Sequence, residues 1–311
     1  MRKRQTIIIS LAGLFVAFIL LFMFSNFSNA ANQHDSNYKN VTVWTHVNIT
    51  NSKPEILALQ VFQETNVSQK NITLNAGSTR LVVCNATIRD WNGYADVVLV
   101  NATLWDTRNS TNNATDNNNT HYTNYNCTNS GNGANYTVNY ICNFSVYYYA
   151  NNGTWSCNAT AMDTYNKTGY MGNTTIFYPL YALNVTDGID YGNVAVEDTS
   201  FEKVANVTNF GNMPINLTLE GYGVRQGDGL AMNCSLSGNI TVDNEKYSTV
   251  SGAFGTKTAL TSSSIMVTSF TILKQTLPST QIINSTYWQL YIPANPAGNC
   301  TGFVIFTAQA T

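Results

Sequence analysis

Apolar and polar residues alternate along most of the chain, most clearly over residues 79–105, TRLVVCNATIRDWNGYADVVLVNATLW. Two period-two runs, 81–88 and 97–105, flank a polar stretch, 90–96, that contains Asn92-Gly93. Period two describes half-buried strands, and an asparagine–glycine turn between them predicts a hairpin whose strands fold back on each other. Cys84 shares a face with Val82, the side expected to meet the core, while Asn85 and Thr87 take the opposite, solvent-facing side.

The same alternation predicts strands at 41–49, 56–62 and 71–74 before this hairpin, and at 136–149 and 155–162 after it. Between them, 107–133 is rich in Asn and Thr and reads as an exposed insertion. Gly169, Gly172 and Pro179 place a linker at 169–180. Beyond it, strands are expected at 183–185, 193–196, 201–207, 215–222, 247–250, 265–273, 288–292 and 302–308. Helix formers are sparse, and Val, Ile, Thr and Tyr abound. The fold class is therefore all-β: two tandem, disulfide-stapled antiparallel β-sandwich domains, 31–168 and 181–311, with no repeat in register between them.

The first 30 residues stand apart. Arg2, Lys3 and Arg4 precede an apolar run, 7–24, broken only by Ser10, and a small-residue exit follows through Ser28 to Ala30. This describes a secretory signal peptide cut after Ala30. The alternative is an uncleaved anchor, since a helix over 7–24 reaches roughly 27 Å, just enough to span a bilayer. A type IV pilin leader ranks below both. Each places the remainder outside the cytoplasm. Only 10% of residues are charged and the net charge is −2; without the three leader cations, 17 acidic residues face 12 basic ones. No basic tract is left to follow a phosphate backbone, which argues against nucleic acid.

Asn-x-Ser/Thr acceptor triplets number 24, where 43 Asn and 61 Ser plus Thr in 311 residues would produce about eight by chance. They include Asn40, Asn48, Asn66, Asn71, Asn85, Asn101, Asn118, Asn143, Asn158, Asn184, Asn206, Asn216, Asn239 and Asn284. A polar–apolar–polar strand writes some of these triplets automatically. Lys, Glu or Gln would serve an outward position equally well, so the excess of Asn is read as N-glycosylation of part of the set. Six cysteines, an even number without a Cys-x-x-Cys motif, point to disulfides in an exported chain. Six cysteines allow 15 pairings, among which spacing alone does not choose; the set expected is Cys84–Cys157 as an inter-sheet staple, Cys127–Cys142 across a local hairpin and Cys234–Cys300 in the second domain.

Cys84 in an early strand, Trp91 or Trp105 after it, and Trp155-Ser-Cys157 in a late one resemble an immunoglobulin-type sandwich over 41–165. That family usually has Tyr where this chain has Trp155. Its cysteine spacing is stretched here by the insertion, and Trp91 falls in a turn. Tandem modules behind a leader, dense in sequons, are also similar in style to archaeal-type cell-surface glycoproteins. The resemblance implies a structural role at the cell surface.

Residues able to carry chemistry are few. His34, His46 and His121 sit in no nucleophile or metal motif, and no sequence feature singles out a pair of carboxylates, so catalysis is not expected. Asp90, Asn92 and Asp96, with Gly93, resemble a fragment of a calcium loop without its closing Glu. The competing and favoured reading is a turn whose Asp and Asn bond their own backbone. Asp187 and Asp190, with Glu197 and Asp198 further on, form a weaker acidic group. Tyr147, Tyr148, Tyr149, Tyr165 and Tyr170 could form a glycan platform, but alternation assigns such runs chiefly to the core. The function expected is that of an exported, N-glycosylated, non-catalytic protein of the cell surface. It would act by assembly and adhesion with copies of itself or other surface proteins, and touch the membrane only through an uncleaved leader. The alternatives are a carbohydrate- or protein-binding adhesin using loops such as 107–133, and a secreted hydrolase.

Overall fold

The structure, a computed structural model, describes residues 41–64, 71–134 and 136–311. The leader, the tail that follows it and the acceptors Asn40 and Asn66 lie outside these residues. Among the described residues no helix is long and apolar enough to cross a membrane. The chain divides into two compact units, Met1–Thr50 and Asn51–Thr311. In the first, 41–50 is exposed and has no regular secondary structure, so the strand expected at 41–49 does not form.

The regular secondary structure of the second unit is almost wholly strand. Its first half contains β1 (Glu55–Gln63), β2 (Asn71–Ile72), β3 (Thr79–Arg89), β4 (Val97–Asp106), β5 (His121–Asn124), β6 (Thr128–Asn132), β7 (Thr137–Tyr147), β8 (Gly153–Asp163) and β9 (Thr168–Phe177). One sheet runs β1-β3-β7-β6 and the other β2-β9-β8-β4-β5. Their inner faces meet in a single core where Trp155, fully buried, stacks on Phe177 with ring centroids 4.5 Å apart. Burial alternates strictly along β8 from Trp155 and along β4 from Val100, past a register shift between Val97 and Leu99, as expected of strands with one face on the core.

The expected hairpin is not one. β3 pairs with β1 and β7, β4 pairs with β8 and β5, and residues 90–96 cross from one sheet to the other. Both strands have an apolar inner face, and burying each against the other stacks them in opposite layers rather than side by side. Cys84 thus looks across the core and is bonded to Cys157 of β8; Cys127 is bonded to Cys142, and Cys234 to Cys300. The tryptophan filling the core is Trp155, whereas Trp91 is 58% exposed in the crossover.

Two further expectations change. The 107–133 insertion supplies β5, β6 and Cys127 to the sandwich. Its first part folds back over the outer face, where Asn112 Oδ1 accepts hydrogen bonds from Thr103 Oγ1 and from Asn158 Nδ2 (3.2 Å). The supposed linker at 169–180 begins as β9, which pairs with β8 along its whole length, so the connection starts at Tyr178. Gly169 is not a breaker: a Cβ there would collide with the Pro54 carbonyl, and glycine lets the chain ahead of β1 approach.

The second half contains β10 (Leu183–Val185), β11 (Lys203–Asn209), β12 (Ile215–Tyr222), β13 (Leu230–Cys234), β14 (Asn239–Thr241), β15 (Glu245–Ser248), β16 (Thr258–Ala259), β17 (Ile265–Ile272), β18 (Ile283–Leu290), β19 (Cys300–Thr301) and β20 (Phe303–Ala310). The sheets β10-β11-β18-β15-β16, β17-β12-β20 and β14-β13-β19 enclose a separate core around the fully buried Trp288. Residues 193–196, expected as a strand, are irregular, with a bend at 193 and a turn at 196. Polar and ring contacts join the two halves. Tyr148 Oη donates to Gln275 Oε1, both buried, and the Tyr148 ring packs on Phe210 at 5.6 Å.

Candidate functional site

Three carboxylates gather at one end of the first sandwich. Asp90 follows β3, Asp96 lies in the crossover, and Asp163 ends β8; carboxylate oxygens of all three fall within 4.8 Å of one another. Asp90 and Asp163 are fully buried. Asp163 is well supplied with donors: the backbone N–H groups of Tyr165 (2.8 Å) and Lys167 (2.7 Å), and Asn51 Nδ2 (2.8 Å). Burial pushes its carboxyl upward, but these donors outweigh burial and hold it below the usual carboxylate range. Asp90 is in the opposite state. Burial, then the charges of Asp96 and Asp163, raise its pKa against the single backbone donation from Asn92.

Three buried oxygens at this place have no hydrogen-bond partner: Asp90 Oδ2, Asp96 Oδ2 and Asn51 Oδ1. Unpaired buried acceptors are costly. A hard divalent cation takes such oxygens, and a set of carboxylates with one amide oxygen suits calcium. Asn92 does not belong to the set, because its Oδ1 accepts from Ser52 N–H at 2.7 Å. The self-bonded turn is also present, with Asn92 N–H on Asp90 Oδ1 at 2.8 Å. Asp163 and Asn51 escaped the sequence reading, although one signal was available. Asp90, Asp106 and Asp163 each continue the inward phase of the strand before them, after Ile88, Leu104 and Ala161.

Asp106 belongs to a second cluster, where the two sandwiches meet. Fully buried at the end of β4, it accepts Asn151 Nδ2 at 2.8 Å and Asn109 Nδ2 at 2.6 Å. Lys274, in the segment after β17, reaches in and donates to Asn151 Oδ1 (2.5 Å), Tyr149 O (3.0 Å) and Asn119 Oδ1 (3.1 Å). Burial lowers its pKa to about 8, partly opposed by the charge of Asp106.

A third place is a cavity of about 380 Å³ in the second sandwich, lined by Asp187 and Glu245 among apolar residues such as Met232 and Phe306. Burial raises Glu245 to about 7, and Tyr191 Oη donates to it at 2.7 Å. Asp190 accepts the N–H of Gly192 in its own turn. His121 is buried and held by Asp116 at 2.7 Å. Of the tyrosines, Tyr148 and Tyr149 are core, while Tyr165 and Tyr170 are exposed.

Twenty acceptor asparagines fall among the described residues, and none is buried. Asn48, Asn143, Asn184, Asn206 and Asn239 are exposed; Asn71, Asn85, Asn101, Asn118, Asn158, Asn216 and Asn284 are half-buried. Asn173 is exposed but tied, its Nδ2 donating to Leu59 O at 2.6 Å across the edge between sheets.

No family model matches the chain, and no curated protein sequence does. Among solved structures, a chaperone–tip adhesion subunit complex of archaic chaperone-usher pili of Acinetobacter baumannii is similar at 10% identity, over 78% of this chain and 97% of that one, with a TM-score of 0.39. A tip adhesin of Pseudomonas aeruginosa is similar at 8% identity, over 82% and 93%, with a TM-score of 0.28. Carbohydrate-binding modules of the β-sandwich superfamily are similar at 10% identity, over 84% and 98%, with a TM-score of 0.25. Superpositions this loose assign nothing to individual residues of this chain.

Proposed function

We propose that this chain is a non-catalytic, glycan-bearing module of the cell exterior, acting as a rigid structural and adhesive unit. The observation that carries the reading is the placement of the acceptor asparagines: the sequence holds about three times the chance number, and each of the twenty described ones reaches the surface. Three disulfides with no free cysteine support an oxidising compartment. Sugar on the outer strand faces would solubilise a surface with little charge. A calcium ion held by Asp90, Asp96, Asp163 and Asn51 belongs to the same reading, as a clamp between the crossover, the β8–β9 turn and the segment leading into β1. The partners of such a module are neighbouring surface proteins or copies of itself.

Peptide mass spectrometry on protein from its native source tests this. The expected result is a mature chain beginning near Ala31, glycan on exposed acceptors such as Asn143, Asn184 and Asn239, and Asn173 bare. Unmodified acceptors throughout, in a chain with reduced cysteines, would overturn it.

A further inference from the structure

The second cluster brings together a half-buried amine, a half-buried amide and a buried carboxylate, with the amine and the amide 123 residues apart in sequence. Half-buried Lys274 is unlike the buried Lys257. Lys257 meets the carboxylate of Glu202 at 2.5 Å, an ordinary ion pair, and holds it down at about 2. Lys274 meets only amide and carbonyl oxygens, and no carboxylate lies within ion-pair distance of it among the described residues.

Asn151 is fixed from several sides. Its N–H donates to Asn119 O at 2.9 Å, and its carbonyl accepts Trp155 Nε1 at 2.8 Å. Its side-chain carbonyl oxygen faces Lys274 Nζ while its side-chain nitrogen donates to Asp106. Amine at one end of an amide and a buried carboxylate at the other is the arrangement that acyl transfer requires: a nucleophile, an electrophile and a proton carrier at the leaving group.

We propose that Lys274 and Asn151 condense into an isopeptide bond that covalently joins the two sandwiches, with Asp106 carrying the proton. The neutral Nζ lone pair attacks Asn151 Cγ, forming the new C–N bond. Once bonded to Cγ, the attacking nitrogen stands beside Nδ2 and so within reach of Asp106, which takes its proton and returns it to Nδ2, whose bond to Cγ breaks. The products are a secondary amide and ammonia. Starting from the protonated lysine, the balance is ammonium plus the amide, with no oxidant, reductant or added water. A lysine titrating near 8 is neutral in about one molecule in ten at pH 7, enough for a slow, irreversible reaction inside the folded protein. Asn119 is the poorer substrate, since its Nδ2 donates to Thr276 O and not to a carboxylate. The bond would remove the span of 123 positions between its ends from extension under load, a length of about 400 Å when drawn out.

The inference rests on this junction alone, so its failure would leave the reading of the acceptor sites and the cation as it stands. The experiment is peptide mapping of the reduced, folded full-length protein, wild type beside D106N and K274R. The wild type is expected to show one branched species joining the Lys274 and Asn151 peptides, one ammonia lighter than their sum, and no tryptic cleavage after Lys274. After reduction and denaturation it should also migrate faster in a gel than K274R, because its chain is looped. D106N should show both peptides free. Recovery of free Lys274 and unaltered Asn151 peptides from folded wild type would overturn the proposal, whether or not the variants fold.

Discussion

Cys84 and Cys142 face each other directly across the β3–β7 ladder, yet neither is bonded to the other. Cys84 crosses the core to Cys157, while Cys142 bonds Cys127, 15 residues before it in sequence. The first bridge joins the sheets over 73 residues and the second closes 15. In the chain-entropy account these loops are worth about 4 and about 3 kcal/mol. C84A/C157A is therefore expected to lose more stability than C127A/C142A in denaturant titrations. The single variant C157A places a free Cys84 thiol against the Cys127–Cys142 bridge, and disulfide mapping should find Cys84–Cys142 with Cys127 released.

The carboxylate cluster should make stability depend on calcium. At calcium concentrations 100 times Kd the gain is about 2.7 kcal/mol, read as a rise in melting temperature that chelator reverses. D90N, which keeps the side-chain volume but removes a charge, should lose most of that rise. Without calcium, the raised Asp90 carboxyl binds its proton more tightly in the folded chain than in the unfolded one. Its contribution is then present at low pH and lost as pH rises through its folded value. Melting curves at two pH values, with and without calcium, should change order.

Glu245 offers a separate test. Its pKa moves from the usual 4.5 to about 7 because it is buried, so the folded state favours the protonated form. Stability from this group is full below 4.5 and lost as pH rises toward and past 7, on the order of 3 kcal/mol in all. Gln at this position still accepts from Tyr191 Oη and carries no charge. E245Q should be more stable than wild type at pH 8 and nearly equal to it at pH 4.5, by urea titration.

Asn212 sets the connection between the sandwiches. Nearly fully buried, it accepts Leu180 N–H at 2.7 Å and donates to Tyr178 O at 3.1 Å. N212A leaves both groups without partners, at a cost of about 2–4 kcal/mol. The neighbouring Gly211 has no room for a Cβ against the Leu180 carbonyl. Both N212A and G211A should open residues 178–182 to limited proteolysis at temperatures where the wild type resists it.

Much of the architecture is legible in the alternation. Strand 215–222 is found as Ile215–Tyr222, and 183–185 as Leu183–Val185. The inward phase that contains Cys84, and later Trp155 and Cys157, is the phase that builds the core. Glycines misled where they stood for close approach rather than for a break, as at Gly169 in β9. The strands β13, β14, β16 and β19, of two to five residues, went unread, since so short a run carries little periodic signal.

What the sequence by itself determines is which side of each strand is wet. Side chains alternate with a period of two, so a local pattern is enough to specify faces, a core, inward cysteines and outward asparagines. Which strands become neighbours was decided only by the tertiary structure. The same faces would suit a hairpin of β3 and β4 or their placement in opposite sheets, and the choice is made by burying both apolar faces against each other. The candidate sites depend on that choice. Asp90 and Asp163 meet because β3 and β8 end at the same pole of the sandwich, and Lys274 meets Asn151 because two separately built cores are docked together. Neither meeting is written in a local pattern, because the residues concerned lie 73 and 123 positions apart along the chain.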